Sequence, residues 1–525
     1  MNLPRLSLSI STSLLILSLG LGLAACSDDE VAANAGEGEC GPDETWNPID
    51  EVCSPAGPNQ SPNNQTANNQ GSGNQSPNNQ SPGNQSPNNQ SPGNQMPDPS
   101  NNDDDGPCQG LECDQVFCDE GATQVTGTVN IPSGELPLPD VAVYVPNTEP
   151  EEHTQGATCR PCTDPFTAEP VVGDYTNVHG VFTIDNVPVG EDIPLVVEVG
   201  KWRRTLTIDN VPACETTELD PEETRLPRNR DEGDLPRFAL TTGEWDAIEC
   251  LLPKIGIDFD EISTSSEDPD ASVHLFAGMG GANRFESSLN GGVSFPSATG
   301  WWDDLDNLLD YDIVMHSCEG TPTTNNKSQQ ARDALLDFTH GGGRAFLSHY
   351  HYTWLRDGPA EFQAVAEWSD SITGGNETGW IDTTFPKGQM LREWMYHTGT
   401  TPAGEIPMTE TRGSVESVDM NYAQPWVWIE PEEPPIPIPG FPGIPDTADQ
   451  DLIQYFSFNT PLQASPNNQC GRVVFSDIHV GAGQDSTPDD PYPTGCNLGS
   501  ISPQEKALIF MLFDLSRCIV SDKAD

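Results

Sequence analysis

Between residues 236 and 521, short apolar strands alternate with helical segments, and no other feature limits the fold as strongly. Residues 329–339 are predicted to be a helix, because Ala331, Leu335 and Phe338 recur on one face. Strands are predicted at residues 271–276, 311–315, 344–347 and 472–476. Strands joined through helices form a parallel sheet with helices on both faces. We therefore expect an α/β three-layer domain with a mainly parallel, flavodoxin-like sheet, interrupted by a long insertion at residues 358–465.

Side chains that can bind metals follow three of these strands at the point where each strand ends. They are His316, Cys318 and Glu319 after the second strand, His349 and His351 after the third, and Asp477 and His479 after the last. Parallel strands present their carboxyl ends at one edge, so the four histidines are expected to converge there. Imidazole and carboxylate groups suit zinc or another divalent metal. The alternative is a set of polar residues that hydrogen-bond at the starts of loops.

The order of elements resembles the class I glutamine-amidotransferase-like fold, in particular its ThuA-like branch. The residues that carry the resemblance are Tyr311-Asp-Ile-Val, Gly341-Gly-Gly-Arg-Ala-Phe-Leu-Ser-His349 and Gly471-Arg-Val-Val-Phe. The amidotransferase family places a nucleophilic Cys on the turn where this chain has Ser348 and His349, and Cys318 lies one strand earlier. His479 stands where the family's His stands, but Val480 replaces the Glu that follows it. The resemblance therefore implies the fold without glutaminase activity, and no catalytic residue is assigned.

Residues 119–228 are predicted to form an all-β sandwich, because short alternating strands are separated there by turns rich in Gly and Pro. The segment resembles the carboxypeptidase-regulatory-like, transthyretin-type domain. The residues that carry this resemblance are Gly127-Thr-Val, Pro139-Asp-Val-Ala-Val-Tyr-Val and Asn177-Val-His-Gly-Val-Phe-Thr-Ile-Asp-Asn-Val-Pro-Val-Gly. That family is a structural or binding module without catalytic residues.

Residues 1–25 have the parts of a secretory signal, with Arg5 before a short apolar run. The run ends in Leu23-Ala-Ala-Cys26, which resembles a bacterial lipobox and implies that Cys26 carries the lipid and begins the mature chain. The lipid bilayer is then a partner of the protein. Ser27 in place of Asp favours the outer membrane or cell surface over the inner membrane. A plain secretory signal with a chance Cys is the alternative.

Residues 26–118 are predicted to be a tether. It contains a small loop closed by a disulfide between Cys40 and Cys53, followed by units of Ser-Pro-Asn-Asn-Gln and related sequences over residues 61–95. Such a composition cannot bury a core, so this linker is predicted to be disordered.

The chain has 14 cysteines, and lipidation of Cys26 leaves an odd number. An oxidising compartment converts most of them to disulfides, and Cys318 is our candidate for the unpaired thiol. We predict that Cys250 pairs with Cys518 and that Cys470 pairs with Cys496, because the first and last helices of the α/β domain are expected to be neighbours. The remaining cysteines, for which structural disulfides are favoured but pairing is left open, are Cys108, Cys113, Cys118, Cys159, Cys162 and Cys214.

The formal net charge of −59 repels nucleic acid, so nucleic-acid binding is excluded. Two functions remain. The first is a non-catalytic, surface-exposed lipoprotein that binds a carbohydrate or a protein. The second is a ThuA-like enzyme acting on a sugar or small molecule, with a metal held by the four histidines; no other cofactor is predicted. Converged histidines with an open metal position would favour the second function, and a closed polar network the first. Near the predicted crevice, Trp301, Trp302 and Trp354 are either sugar-stacking platforms or core residues.

Overall fold

The structure, a computed structural model, describes residues 44–47, 52–55, 108–159, 166–369, 375–400, 404–430, 451–480 and 486–522. The signal segment, Cys26, Cys40, the repeats and Cys162 lie outside these ranges. No helix within them is long and apolar enough to span a membrane. The chain divides into two compact units, Met1–Gln80 and Ser81–Asp525. The first contains an antiparallel hairpin of β1 (Glu44–Asn47) and β2 (Val52–Pro55).

The second unit begins with two sheets and a short helix, α1 (Pro221–Thr224). Their strands are β3 (Gln124–Thr128), β4 (Ala142–Pro146), β5 (Pro170–Tyr175), β6 (Val181–Asp185), β7 (Gly190–Val199), β8 (Trp202–Val211) and β9 (Thr216–Glu218). One sheet has the order β6-β3-β9 and the other the order β5-β4-β7-β8. Val125 and Phe182 of the first sheet belong to the same buried cluster as Val143 and Val197 of the second. The segment is thus rich in sheet and has its own apolar interior.

A mixed twelve-stranded sheet follows. Its strands are β10 (Phe238–Thr241), β11 (Ile262–Ser263), β12 (Val273–Phe276), β13 (Ile313–His316), β14 (Arg344–Ser348), β15 (Ala366–Trp368), β16 (Glu377–Ile381), β17 (Glu405–Met408), β18 (Val415–Val418), β19 (Ala423–Ile429), β20 (Leu452–Thr460) and β21 (Gly471–Ser476). Six strands in the order β11-β12-β10-β13-β14-β21 are parallel. Four of them, β12, β13, β14 and β21, correspond to the predicted strands, whereas β10 and β11 were not predicted.

The remaining strands correct the prediction of a mainly parallel sheet. The order continues through β20, β19, β16 and β17 with antiparallel pairing, and β18 joins β15 to β20. These strands come from residues 366–460, so the predicted insertion contributes six strands to the sheet. All of them except β20 are at most five residues long or contain Pro or Gly, and this made their period hard to recognise.

Helices pack against this sheet. They are α2 (Leu251–Lys254), α3 (Leu305–Leu309), α4 (Gln329–His340), α5 (Thr353–Arg356), α6 (Ala360–Gln363), α7 (Pro386–His397) and α8 (Pro503–Ser516). Ser328 caps α4 by accepting a hydrogen bond from the Ala331 amide. Ser502 and Glu505 form a capping box on α8. Each such cap stabilises its helix by about 1 kcal/mol, which helps to fix the loops before it.

The first two sheets and the mixed sheet share one core. Trp202 of β8 is fully buried, and its ring lies 6.1 Å from Phe238 and 5.4 Å from Phe513, measured between centroids. A disulfide between Cys159 and Cys470 fastens the same two parts covalently. The all-β segment is therefore docked on the α/β part.

The disulfides correct two predicted pairings. Cys250 pairs with Cys496 and Cys470 with Cys159, while Cys518 is also disulfide-bonded. Cys250 lies in a short 3₁₀ turn and not in a long helix beside α8, so the assumption behind its predicted pairing with Cys518 was wrong. Two further disulfides join Cys108 to Cys113 and Cys118 to Cys214. Among the described residues Cys318 is the free thiol, as predicted, and it is buried.

Candidate metal centre

Three neighbouring parallel strands, β13, β14 and β21, deliver the predicted site residues to one edge of the sheet, which we call the carboxyl edge. The strands are in register there, with His316 opposite Leu347 and Ser348 opposite Ser476. The seven predicted side chains all lie at this edge, and all are at most 5% exposed. They separate into two groups with different hydrogen bonding.

The first group consists of Cys318, His349 and His479, which we call the thiol–imidazole cluster. The Cys318 Sγ and His349 Nδ1 atoms are 3.3 Å apart, and the rings of His349 and His479 are 5.4 Å apart between centroids. One ligand atom from each of the three residues lies within 4.8 Å of the other two. The side chains of the cluster therefore already surround a common point.

His479 is the most unusual member of the cluster. In the part of the chain that the structure describes, neither of its ring nitrogens has a hydrogen-bond partner, although the residue is only 2% exposed. The neighbouring carboxyl of Asp477 accepts a hydrogen bond from the Ser414 amide at 2.7 Å through one oxygen, and its other oxygen is likewise unpartnered. A buried polar atom without a partner costs about 1–3 kcal/mol, so a ligand or a water at these atoms would stabilise the folded state.

Burial sets the protonation states of the cluster. It lowers the pKa of His479 to about 3 and the pKa of His349 well below its ordinary value. It also raises the pKa of the Cys318 thiol to about 12. Both imidazoles are therefore neutral at pH 7, which is the form that binds a metal. The thiol is protonated unless a cation stabilises its thiolate.

Asp246 holds the two histidine-bearing turns together. One oxygen of its carboxyl accepts a hydrogen bond from the Ser348 hydroxyl, directly before His349, and the other accepts from the Val480 amide at 2.9 Å, directly after His479. The His349 backbone has a φ of +36°, in the left-handed region that a side chain rarely adopts. Such strain is held only when the surroundings fix it, and Asp246 provides part of that support. Sequence reasoning missed Asp246, because it lies in a loop about 100 residues before Ser348.

The second group corrects the predicted four-histidine set. The His351 Nε2 donates to the Ser317 carbonyl at 2.8 Å, and the Trp354 indole donates to the His351 Nδ1 at 2.8 Å. Both nitrogens of His351 are thus occupied, and it cannot bind a metal without breaking these bonds. His351 lies in a 3₁₀ turn, so the i, i+2 spacing does not place it beside His349.

The remaining residues of the second group are His316 and Glu319. His316 lies 2.9 Å from the Thr241 hydroxyl through its Nδ1, and its ring stacks on His351 at 5.2 Å between centroids. The His316 Nε2 is buried without a hydrogen-bond partner among the described residues, but His316 does not belong to the group of three converging ligand atoms. Glu319 forms a buried ion pair with Lys327 at 2.6 Å, so its charge is already neutralised. The predicted ligand set is therefore reduced to the thiol–imidazole cluster, and His316, His351 and Glu319 lie outside it.

Buried carboxyls surround the cluster on one side. Burial raises the pKa of Asp246, Glu249 and Asp477 to about 7 in each case. The Glu249 carboxyl accepts a hydrogen bond from the Ser486 hydroxyl, and its other oxygen lies 3.5 Å from the Ser317 hydroxyl. Among the described residues, none of the three forms a salt bridge with Lys or Arg. A cation bound at the carboxyl edge would favour their charged forms.

An exposed aromatic side chain lies beside the site. Trp245 is 53% exposed, and its backbone amide donates to the Cys318 carbonyl at 3.1 Å. Of the tryptophans considered from sequence, Trp302 and Trp354 are 1% exposed and belong to the core, and Trp301 is partly buried against Phe276.

No family model matches this chain, and no curated protein matches it. One similar solved structure is a ThuA-like protein from Bacteroides uniformis, with 11% identity and a TM-score of 0.27 over 53% of this chain and 89% of that chain. Another is a type II cohesin–X-dockerin complex from Acetivibrio cellulolyticus, with 14% identity and a TM-score of 0.15 over 26% of this chain and 85% of the matched chain. Both TM-scores lie below 0.5, so neither similarity supports a conclusion about the function of this chain.

Proposed function

We propose that this chain is an exported, lipid-anchored metalloprotein whose α/β part binds zinc through Cys318, His349 and His479. The observation that carries the proposal is the convergence of three ligand atoms within 4.8 Å, at a place where both nitrogens of a buried histidine lack partners. Of the two functions expected from sequence, this arrangement favours the metal-dependent one.

The distances fit zinc. A tetrahedral zinc with bonds of about 2.3 Å to sulfur and about 2.1 Å to nitrogen separates its ligand atoms by about 3.4–3.6 Å. The Cys318 Sγ and His349 Nδ1 atoms are 3.3 Å apart, which is close to this value. The remaining separations, up to 4.8 Å, require small rotations of the rings.

The chemistry of the ligand set favours zinc over magnesium and calcium. One thiol and two neutral imidazoles are borderline-soft ligands, which zinc prefers and which magnesium and calcium do not. A bound cation would also favour the charged forms of the buried carboxyls Asp246, Glu249 and Asp477, against the positive charge of the nearby Arg412. Zinc would also stabilise the thiolate of Cys318 against the burial that otherwise keeps it protonated.

The proposed location rests on the sequence. The Leu23-Ala-Ala-Cys26 motif supports lipid attachment at Cys26, and the disulfides support an oxidising compartment. The linker between Cys26 and the folded part would keep the metal centre away from the bilayer.

A catalytic role is a second candidate. Three protein ligands leave a fourth position on tetrahedral zinc, as in catalytic zinc sites. The free carboxyl oxygen of Asp477 lies beside the cluster and could accept a proton from a zinc-bound water. Bound zinc would activate water, so the reaction class would be hydrolysis of a small molecule. The non-catalytic binding of a carbohydrate or protein is the competing role.

The test is elemental analysis of the mature chain purified from an exporting host without added chelator. The proposal expects about one zinc per chain, and a loss of most of this zinc in His479→Gln. The matched control is His351→Gln, a change of the same kind at a buried histidine whose two ring nitrogens are both hydrogen-bonded, where zinc content should stay unchanged. A wild-type protein without transition metal, or equal zinc in both variants, would overturn the proposal.

Cobalt substitution keeps the test valid if one variant folds poorly. Tetrahedral cobalt bound to a thiolate gives a charge-transfer band that Cys318→Ser should abolish while the d–d bands persist. A cobalt spectrum that is identical in wild type and Cys318→Ser would remove the thiol from the ligand set.

A further inference from the structure

A groove lies on the antiparallel part of the mixed sheet, within β18, β19 and β20 and their flanking residues. Its volume is about 400 Å³, which is within the size range of small-molecule sites. Its apolar wall includes Pro425, Trp428 and Ile453, and its acidic lining consists of Asp382, Glu416 and Asp451. None of these residues takes part in the metal centre.

A bulge presents Trp428 to the groove. The register between β19 and β20 shifts between Val427 and Trp428, and such irregularities change the direction of the following side chain. Trp426 is fully buried, whereas Trp428, two positions later, is only partly buried and lines the groove. An aromatic ring is therefore available to a ligand.

The charged side chains that line the groove are all acidic. Its lining includes three carboxylates and no Lys, Arg or His. Within the described residues, Asp382, Glu416 and Asp451 form no salt bridge. Asp382 is 9% exposed and is held by hydrogen bonds from the Thr384 amide at 2.8 Å and the Gln424 side chain at 3.2 Å. The groove therefore offers fixed negative charge beside an apolar wall.

We propose that this groove binds a linear polyamine. The methylene segments of such a ligand would lie on Pro425, Trp428 and Ile453, and its ammonium groups would pair with the three carboxylates. An ammonium over the Trp428 ring would gain a further cation–π attraction. The same charge disfavours anionic ligands. Neutral sugars can donate hydrogen bonds to these carboxylates, but only a cation also gains the charge–charge attraction, so charge complementarity selects the cation.

The test is isothermal titration of the full mature chain with spermidine, in physiological salt with millimolar magnesium. Magnesium suppresses unspecific attraction to an acidic surface of this net charge. The expected result is saturable binding of one spermidine per chain, with triacetylated spermidine, which has no charge, showing no binding.

Two variants and two matched controls locate the binding. Trp428→Leu and Glu416→Gln should each weaken binding at least tenfold. Tyr396→Leu changes an exposed aromatic residue on α7, and Asp337→Asn removes an exposed carboxylate from α4; neither should change the affinity for spermidine. Equal weakening by the control variants, or a titration without saturation, would mean general attraction to the acidic surface and would overturn the proposal. Glu416→Gln keeps the proposal testable if Trp428→Leu does not fold.

Discussion

Glu249→Gln should make the stability of the metal-free protein less dependent on pH. Glu249 is 1% exposed, and burial raises the pKa of its carboxyl from 4.5 to about 7. Between these values the folded protein keeps a proton that the unfolded chain has released. The free energy of unfolding therefore falls as the pH rises from about 4.5 to 7, and it stays low above pH 7.

The size of the expected change in unfolding free energy follows from the shift in the pKa of Glu249. Each pKa unit corresponds to about 1.4 kcal/mol, so ionisation of Glu249 costs the folded state about 3 kcal/mol above pH 7. Little of this cost is present at pH 5. Between pH 5 and pH 8, the free energy of unfolding of the wild type should therefore fall by about 2–3 kcal/mol more than that of the variant. The Gln side chain has nearly the same shape, and its amide can donate to the Ser317 hydroxyl as a protonated carboxyl would.

The assay is urea unfolding at pH 5, 6, 7 and 8 with a chelator present, comparing midpoints at constant slope. Glu244→Gln, an exposed glutamate at the same edge of the sheet, serves as the control. The reasoning is refuted if the difference between Glu249→Gln and wild type does not change with pH, or if Glu244→Gln shows the same trend.

Four further outcomes are expected. Asp246→Asn should weaken zinc binding about 10–100-fold in a competition with a chromophoric chelator, because Asp246 positions both histidine turns; unchanged affinity would contradict this positioning role. Cys318 should resist thiol reagents in the folded protein and react in denaturant, as mass spectrometry can follow, and rapid labelling of the native chain would be inconsistent with its burial. Replacing Cys159 and Cys470 by Ser should cost about 2–5 kcal/mol of stability, whereas an unchanged unfolding midpoint would show that this disulfide does not constrain the chain. Cys26→Ala should move the protein from the membrane fraction to the soluble fraction, and retention with normal signal processing would argue against lipidation.

Four of the six parallel strands, β12, β13, β14 and β21, were predicted because they are short apolar runs. The parallel strands β10 and β11 were not predicted. The antiparallel half was missed. Its strand β19 contains Pro425 and a bulge, and these features interrupt the alternation that marks a strand. The pairing of cysteines was also beyond sequence reasoning, because many connectivities satisfy the same count.

The thiol–imidazole cluster was predicted in position, at the carboxyl edge, but not in membership, and its binding of a metal stays a prediction. Topology alone brought Cys318, His349 and His479 to one edge, since their strands are neighbours. The predicted position of His351 beside His349 required β14 to continue past Ser348. The strand instead ends there, and His351 lies in the 3₁₀ turn that follows. Asp246 could not be found, because its partners are Ser348 and Val480, which are distant in sequence.

X-ray absorption at the zinc edge of the purified mature chain tests the central claim most directly. Binding by Cys318, His349 and His479 predicts one sulfur at about 2.3 Å and two imidazole nitrogens at about 2.0–2.1 Å, with at most one further light ligand. A shell of nitrogen and oxygen without sulfur, or a protein that retains no zinc, would contradict the proposed centre.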